Sequence, residues 1–237
     1  MNAAHHQDKS AVRDAATVIV LRDRLTRPRI LMGQRGAKAA FMPNKFVFPG
    51  GAVDVEDAHV PLAGHLPDLC RARLLKDAPS DMADALSAAA IRELWEETGQ
   101  ILGVRGAWTE TPSSDWAAFK QSGHRPDARR LQFVFRAITP PGRPRRFDAR
   151  FFLVEADALA SDPDDFSAAS DELSHLQWVP LEDARAFDMP FITEVVLAEI
   201  AARLATMEPP ASVPFFKNDD EKSLFLRLYG SASPSGA

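Results

Sequence analysis

Four ionisable side chains, Arg92, Glu93, Glu96 and Glu97, fall within six positions of "IRELWEETGQ" (91–100). On a helix advancing about 100° per residue, Glu97 lies about 40° to one side of Glu93 and Glu96 about 60° to the other. The three acids therefore share one face. Ala88, Ile91, Leu94 and Trp95 fall opposite and can meet a core. Folding alone does not ask for this arrangement, because like charges at i, i+4 cost roughly a few tenths of a kcal/mol. Something positive should offset them. Arg92 is one candidate. The other is a hard divalent cation such as Mg²⁺, which takes oxygen ligands and bridges carboxylates to a substrate phosphate. A solvated acidic surface is the plain alternative.

The elements around the acids give them a setting. "MADALSAAAIRELWEET" (82–98) is the strongest helical stretch, with Ser80 or Asp81 as N-cap and Gly99 as its stop. Upstream, "AATVIVLRD" (15–23) and "RPRILMGQRG" (27–36) read as a strand pair. "NKFVFPGGAVD" (44–54) reads as a short strand broken by Pro49, Gly50 and Gly51. Helices are expected near 68–76, over 113–123, at "LEDARAFD" (181–188) and over 192–207. Strands are expected over 130–141, 146–157 and 172–181. Strands, a helix, more strands and terminal helices predict an α+β domain with a mixed sheet and helices packed on it.

Composition narrows the function. Hydrophobic residues make up 46%, enough for a core, and the formal charge of −5 argues against a nucleic-acid partner. No stretch approaches the ~20 apolar residues of a membrane span. One cysteine, Cys70, permits no internal disulfide and reads as a small buried apolar residue. The N-terminal residues lack the apolar core of a secretory signal, so a cytoplasmic location is expected. The expected organisation is a loose tail over 1–13 and one domain over 14–207. A C-terminal extension over 208–237 follows, its end disordered. His5 and His6 fall in the tail and receive no role.

"GGAVDVED…RELWEETG" resembles the Nudix box, G-x5-E-x7-R-E-U-x-E-E-x-G-U, where U is a bulky aliphatic. Gly51 takes the first glycine, and Arg92, Glu93, Leu94, Glu96, Glu97 and Gly99 fit the helical half. Three departures stand out. Asp57 occupies the first glutamate position, beside Glu56. Between Asp57 and Arg92 lie 34 residues where the pattern has seven, so an insertion of about 58–80 must loop out between the glycine turn and the helix. Gln100 stands at the final aliphatic position, followed by Ile101.

The resemblance implies a Nudix fold: a mixed β-sheet between helices, α/β/α. It implies Mg²⁺- or Mn²⁺-dependent hydrolysis of a diphosphate in a small nucleoside diphosphate derivative. The metal ligands would be Glu93, Glu97, Glu96 and the carbonyl of Gly51. The acid at position 57 would support the helix, and Arg92 would orient the acids. A base would come from a later loop, with Asp171 and Glu172 as candidates against a plain reading as solvated loop. Family members are frequently homodimers, so a homodimer remains open.

The placement of the insertion, together with "FMPNKFVFPGG" (41–51), "EETGQIL" (96–102) and "RRFDARFFL" (145–153), resembles the coenzyme A-directed branch of the family. Half of that branch's upstream signature is present, in Leu31, Arg35 and Phe48-Pro49-Gly50-Gly51. Met32, Gly33, Gly36, Ala40 and Asn44 replace the rest. This branch implies cleavage of coenzyme A or acyl-CoA to 3′,5′-ADP and (acyl-)phosphopantetheine. ADP-ribose, NADH or another nucleoside diphosphate derivative is the alternative. A regulator that binds without turnover fits less well, since such proteins commonly lack a box acid. Arg35, Phe48 and Arg146 are the expected substrate contacts. Arg143 and Arg145 lie beside Arg146, and Phe41 and Phe147 could stack a base or line a channel. Surface arginines and core phenylalanines are the corresponding plain readings.

Overall fold

The computed structural model describes residues 11–39, 41–76, 78–110, 112–206, 208–218 and 223–230. His5, His6, most of the expected loose tail and the chain end beyond 230 lie outside them. The strands are β1 (Val12–Arg22), β2 (Arg29–Arg35), β3 (Phe46–Val47), β4 (Gly50–Ala52), β5 (Gly103–Arg105), β6 (His124–Pro126), β7 (Gln132–Ile138), β8 (Arg146–Glu155), β9 (Leu173–Pro180), β10 (Val213–Asn218) and β11 (Ser223–Leu228). The helices are α1 (Asp68–Leu74), α2 (Met82–Thr98), α3 (Ser114–Gln121) and α4 (Phe191–Ala201).

Nine strands form one mixed sheet in the order β11-β10-β7-β8-β1-β2-β3, with β4 on β1 and β9 on β2. β1 runs parallel to β8, and β10 parallel to β7. The remaining pairs in this sheet are antiparallel. Because β1 is central, both of its faces are buried and its apolar run is nearly continuous. Ala16, Val18 and Val20 point into a core shared with α1, α2 and α3. Ile19 and Leu21 point into a second core against Val196, Leu197 and Ile200 of α4. The result is the α/β/α arrangement.

Helix α2 covers the range that the alanine-rich stretch predicts. It ends where Gly99 turns left-handed at φ 74° and donates its N–H to the Trp95 carbonyl. Asp81 stands at the N-cap without a side-chain capping bond. Two expected helices are corrected. Residues 181–188 make only a 3₁₀ turn at Ala184–Ala186, too few to propagate a helix between Pro180 and Pro190. Helix α4 stops at Ala201 rather than reaching 207, and turns follow it. Strands β5, β6, β10 and β11 have no counterpart in the sequence reading. β10 and β11 extend the sheet past residue 207, where that reading closes the domain. Short strands carrying Pro126 or Pro214 give weak alternation and draw their order from neighbours.

Candidate active site

The glycine turn docks directly on α2. β4 pairs with β1 through Ala52–Ala15, Gly51–Ala16 and Gly50–Thr17. A side chain at Gly51 would place its Cβ 2.3–2.5 Å from the Glu93 carboxylate, so only glycine lets this backbone meet that acid. One residue earlier, the Gly50 N–H donates to Glu97 Oε2 at 2.7 Å. The segment 58–80 does not part the turn from the helix. It folds through α1, buries Leu62, Leu66, Cys70 and Leu74 in the α2-side core, and returns the chain to Met82. Cys70 is buried, as its type predicts.

Arg92 is the hub of the acidic face. It is 4% exposed. Nη1 donates to Glu93 Oε1 at 2.9 Å and Glu96 Oε2 at 3.1 Å, and Nη2 donates to the Ala52 carbonyl at 3.0 Å. Its Nε and Nη2 grip the two oxygens of Asp57, each at 3.0 Å. Burial alone would lower the Arg92 guanidinium, but the bonds to Asp57 and the charges of Glu93, Asp57 and Glu96 outweigh it and raise it. Asp57, at the expected helix-supporting position, is 1% exposed. It also accepts from the Asp54 N–H at 2.9 Å and the Trp116 indole N–H at 3.3 Å. Four donors thus fix a carboxylate one methylene shorter than the pattern's glutamate. Trp116 was not legible as part of the site, since nothing in the spacing of 113–123 ties it to residue 57.

The face is not solvated. Glu93 and Glu97 are buried, and Glu96 is partly exposed. Burial pushes Glu93 up to about 7, against the pull of Arg92. Burial and then the charge of Glu93 push Glu97 up to about 8, against Arg35 and the Gly50 N–H. Glu96 is raised by burial, with Arg92 opposing. Among the described residues no three His, Cys, Asp or Glu side chains already converge on one point as ligands. Arg92 donates to one oxygen each of Glu93 and Glu96, and the Gly50 N–H to one oxygen of Glu97.

The donor set nevertheless fits a hard divalent cation. Glu97 Oε1 is buried with no hydrogen-bond partner. A second buried carboxylate stands beside it, and the Gly51 backbone lies against that carboxylate. A cation would relieve the desolvation that raises both acids.

Two further candidates gather here. Arg35, at the end of β2, donates Nη2 to the Gly50 carbonyl at 3.3 Å, and its charge acts on Glu97. Glu172, one residue before β9, is exposed, and its charge acts on Glu93, Glu96 and Glu97. Asp171 is exposed next to it. The remaining candidates lie elsewhere. Phe48 is 3% exposed and packs in the α4-side core rather than in the core that α2 shares. Arg146 pairs with Val12, four residues along β1 from the Ala16–Gly51 level. Its guanidinium donates to the carbonyls of Thr139 and Asn218, so it braces the β7–β8 connection and β10 rather than joining the glutamates. Arg143 and Arg145 are exposed in that connection. Phe41 and Phe147 meet edge to face at 5.2 Å.

Buried charge continues along β8. Arg150 is 1% exposed and bonds to Asp14 and to the Asp148 carbonyl, while Asp148 takes Arg136 through both oxygens at 2.9 and 2.7 Å. The sequence reading singled out none of these residues.

Known proteins similar to this chain share its domain family and its fold. The sequence model of the NUDIX domain matches residues 80–200. Nudix hydrolase 7 of Caenorhabditis elegans is 31% identical over 182 residues, covering 72% of this chain and 52% of that protein. The chain thus spans about half the length of this curated relative. The crystal structure of a NUDIX hydrolase from Alicyclobacillus acidocaldarius superposes with a TM-score of 0.64 at 28% identity, covering 85% of this chain and 99% of that one.

Proposed function

The chain belongs to the Nudix hydrolase family, and from that premise we propose that it is a divalent-metal-dependent diphosphatase whose substrate is coenzyme A or an acyl-CoA. The observation that carries the metal-dependent chemistry is the buried, unpartnered Oε1 of Glu97 beside Glu93 and Gly51. The choice of substrate is supported by the partial upstream signature and by the segment between Asp57 and Arg92. It is supported further by Arg35, the one signature side chain that the fold brings to the glycine turn.

Glu93, Glu96, Glu97 and the Gly51 carbonyl would hold the ion. Bound there, Mg²⁺ or Mn²⁺ would neutralise diphosphate charge and make a water more acidic. The protein's own groups do the rest. Arg92 keeps Glu93 and Glu96 in place and is itself fixed by Asp57. Arg35 offers a planar guanidinium to a phosphate oxygen. Glu172 takes the proton of the attacking water. As the oxygen–phosphorus bond forms, the bond from that phosphorus to the bridging oxygen breaks, each half of the diphosphate becomes a phosphate monoester, and 3′,5′-ADP and (acyl-)phosphopantetheine leave.

Chromatography of products from coenzyme A, an acyl-CoA, ADP-ribose and NADH, each with Mg²⁺ or Mn²⁺, tests this. Release of 3′,5′-ADP, fastest from the coenzyme A species, is expected. Cleavage of ADP-ribose or NADH with coenzyme A intact would keep the metal site and overturn the substrate.

A further inference from the structure

Gln100 breaks the family pattern, which places a bulky aliphatic residue there. An amide in its place is expensive to bury unless every polar atom finds a partner. Gln100 is fully buried, and all of its side-chain hydrogen-bonding groups are used. Nε2 donates to the Asp162 carbonyl at 3.1 Å and the Asp165 carbonyl at 2.9 Å, and Oε1 accepts from Ser161 Oγ at 2.8 Å. The same hydroxyl accepts from the Ile101 N–H at 3.0 Å, and the Ala160 N–H donates to the Ile101 carbonyl at 2.8 Å. One turn back along α2, the Ser170 N–H donates to the Glu96 carbonyl at 2.8 Å, and Gly99 lies against Ala168 and Ala169. The chain from Leu159 to Glu172 is therefore a strap stitched across the C-terminal end of α2. Its last residue is the carboxylate whose charge reaches Glu93, Glu96 and Glu97.

We propose that Gln100 is a positioning residue, holding the strap so that Glu172 stands beside the acidic face of α2. The catalytic part of this inference rests on the reading of Glu172 as proton acceptor. An aliphatic side chain at 100 could fill the space but could not hold three strap atoms at once. The strap would then lose its register on the helix end, and a small displacement of a reacting group is enough to slow chemistry sharply.

The test uses Gln100→Leu, Glu172→Gln and the double variant of the full chain. Gln100→Leu should speed amide hydrogen exchange over 161–172 by about 10- to 100-fold, with exchange in β1 unchanged. It should lower kcat by about 10- to 100-fold with little change in KM. Mn²⁺ affinity, read by electron paramagnetic resonance, should stay within about threefold, because Glu93, Glu96 and Glu97 keep their partners. The double variant should be no slower than Glu172→Gln alone, since a positioning effect vanishes with the group positioned. Ser161→Ala removes one of the three strap contacts of Gln100, and the acceptor of the Ile101 N–H, from the strap side. It should move exchange and kcat in the same direction if Gln100→Leu fails to fold. Wild-type exchange over 161–172 in these variants, or rate losses that multiply in the double variant, overturns the proposal. If the wild-type protein cleaves none of the diphosphates offered, the reading of its function fails, while exchange still decides whether Gln100 holds the strap.

Discussion

Cation binding to this protein should release protons, in a number set by the burial of two glutamates. With Glu97 held at about 8 and Glu93 at about 7, the first is largely protonated at pH 7 and the second about half so. Oxygen ligands must be ionised to hold Mg²⁺ or Mn²⁺. Roughly one to one and a half protons should therefore leave per ion bound at pH 7, and almost none at pH 9. The two acids repel, so this count belongs to the pair rather than to either residue.

The same shifts fix the sign of the stability change. The ordinary glutamate value is 4.5. Between there and about 8, the folded protein retains protons that the unfolded chain has lost. Stability without metal should then fall as pH rises through this window, by an amount on the order of a few kcal/mol. Above it, added cation should restore most of the loss. Calorimetric titration with Mn²⁺ at pH 6, 7 and 9, in buffers of different ionisation heat, counts the protons. Thermal melts with and without the ion read the stability, and the difference from Glu97→Gln isolates the site. A proton count independent of pH would refute the burial argument. So would a wild-type loss of metal-free stability between pH 6 and 9 no larger than that of Glu97→Gln.

Three other outcomes are expected. Glu97→Gln keeps an acceptor for the Gly50 N–H but removes the buried charge, so it should melt higher than wild type at pH 8.5 without metal. Its diphosphatase rate should be lower by about 100-fold or more, and unchanged turnover would remove Glu97 from the mechanism. Asp57→Ala leaves the buried Arg92 Nε without its acceptor and Nη2 with the Ala52 carbonyl as its hydrogen-bond acceptor, and should cost about 3–5 kcal/mol in urea unfolding, whereas Trp116→Phe loses one hydrogen bond and part of a buried ring and should cost about 1–2 kcal/mol. The reverse ranking would show that Arg92 is supported from elsewhere. Phe48→Ala should cost about 3–5 kcal/mol and leave KM unchanged below its melting temperature, and a raised KM at unchanged stability would return Phe48 to the substrate side.

The legible parts of the fold were those with strong local signals. The alanine-rich run and Gly99 bounded α2 closely, and the β-branched run of β1 announced a buried strand. The short strands β5 and β6 and the pair β10–β11 were not legible. Their residues carry little alternation, and pairing across the sheet stabilises them. The helix expected over 181–188 failed for the converse reason: a local pattern was present, but two prolines left it too short.

For the site, the sequence by itself determined the chemistry of α2: which acids share a face, which arginine stands among them, and which glycine precedes them. Those facts follow from helix periodicity and from the spacing of a local motif. Tertiary structure alone decided what surrounds the acids. Whether the face was solvated or buried depended on the turn at Gly50–Gly51, 42 or more residues before Glu93 in sequence. The same holds for Trp116 reaching Asp57, Gln100 seizing the strap, and Phe48 and Arg146 lying away from the glutamates. Each is a contact between segments far apart in the chain. Periodicity orients a side chain on its own element, but only packing decides what it meets.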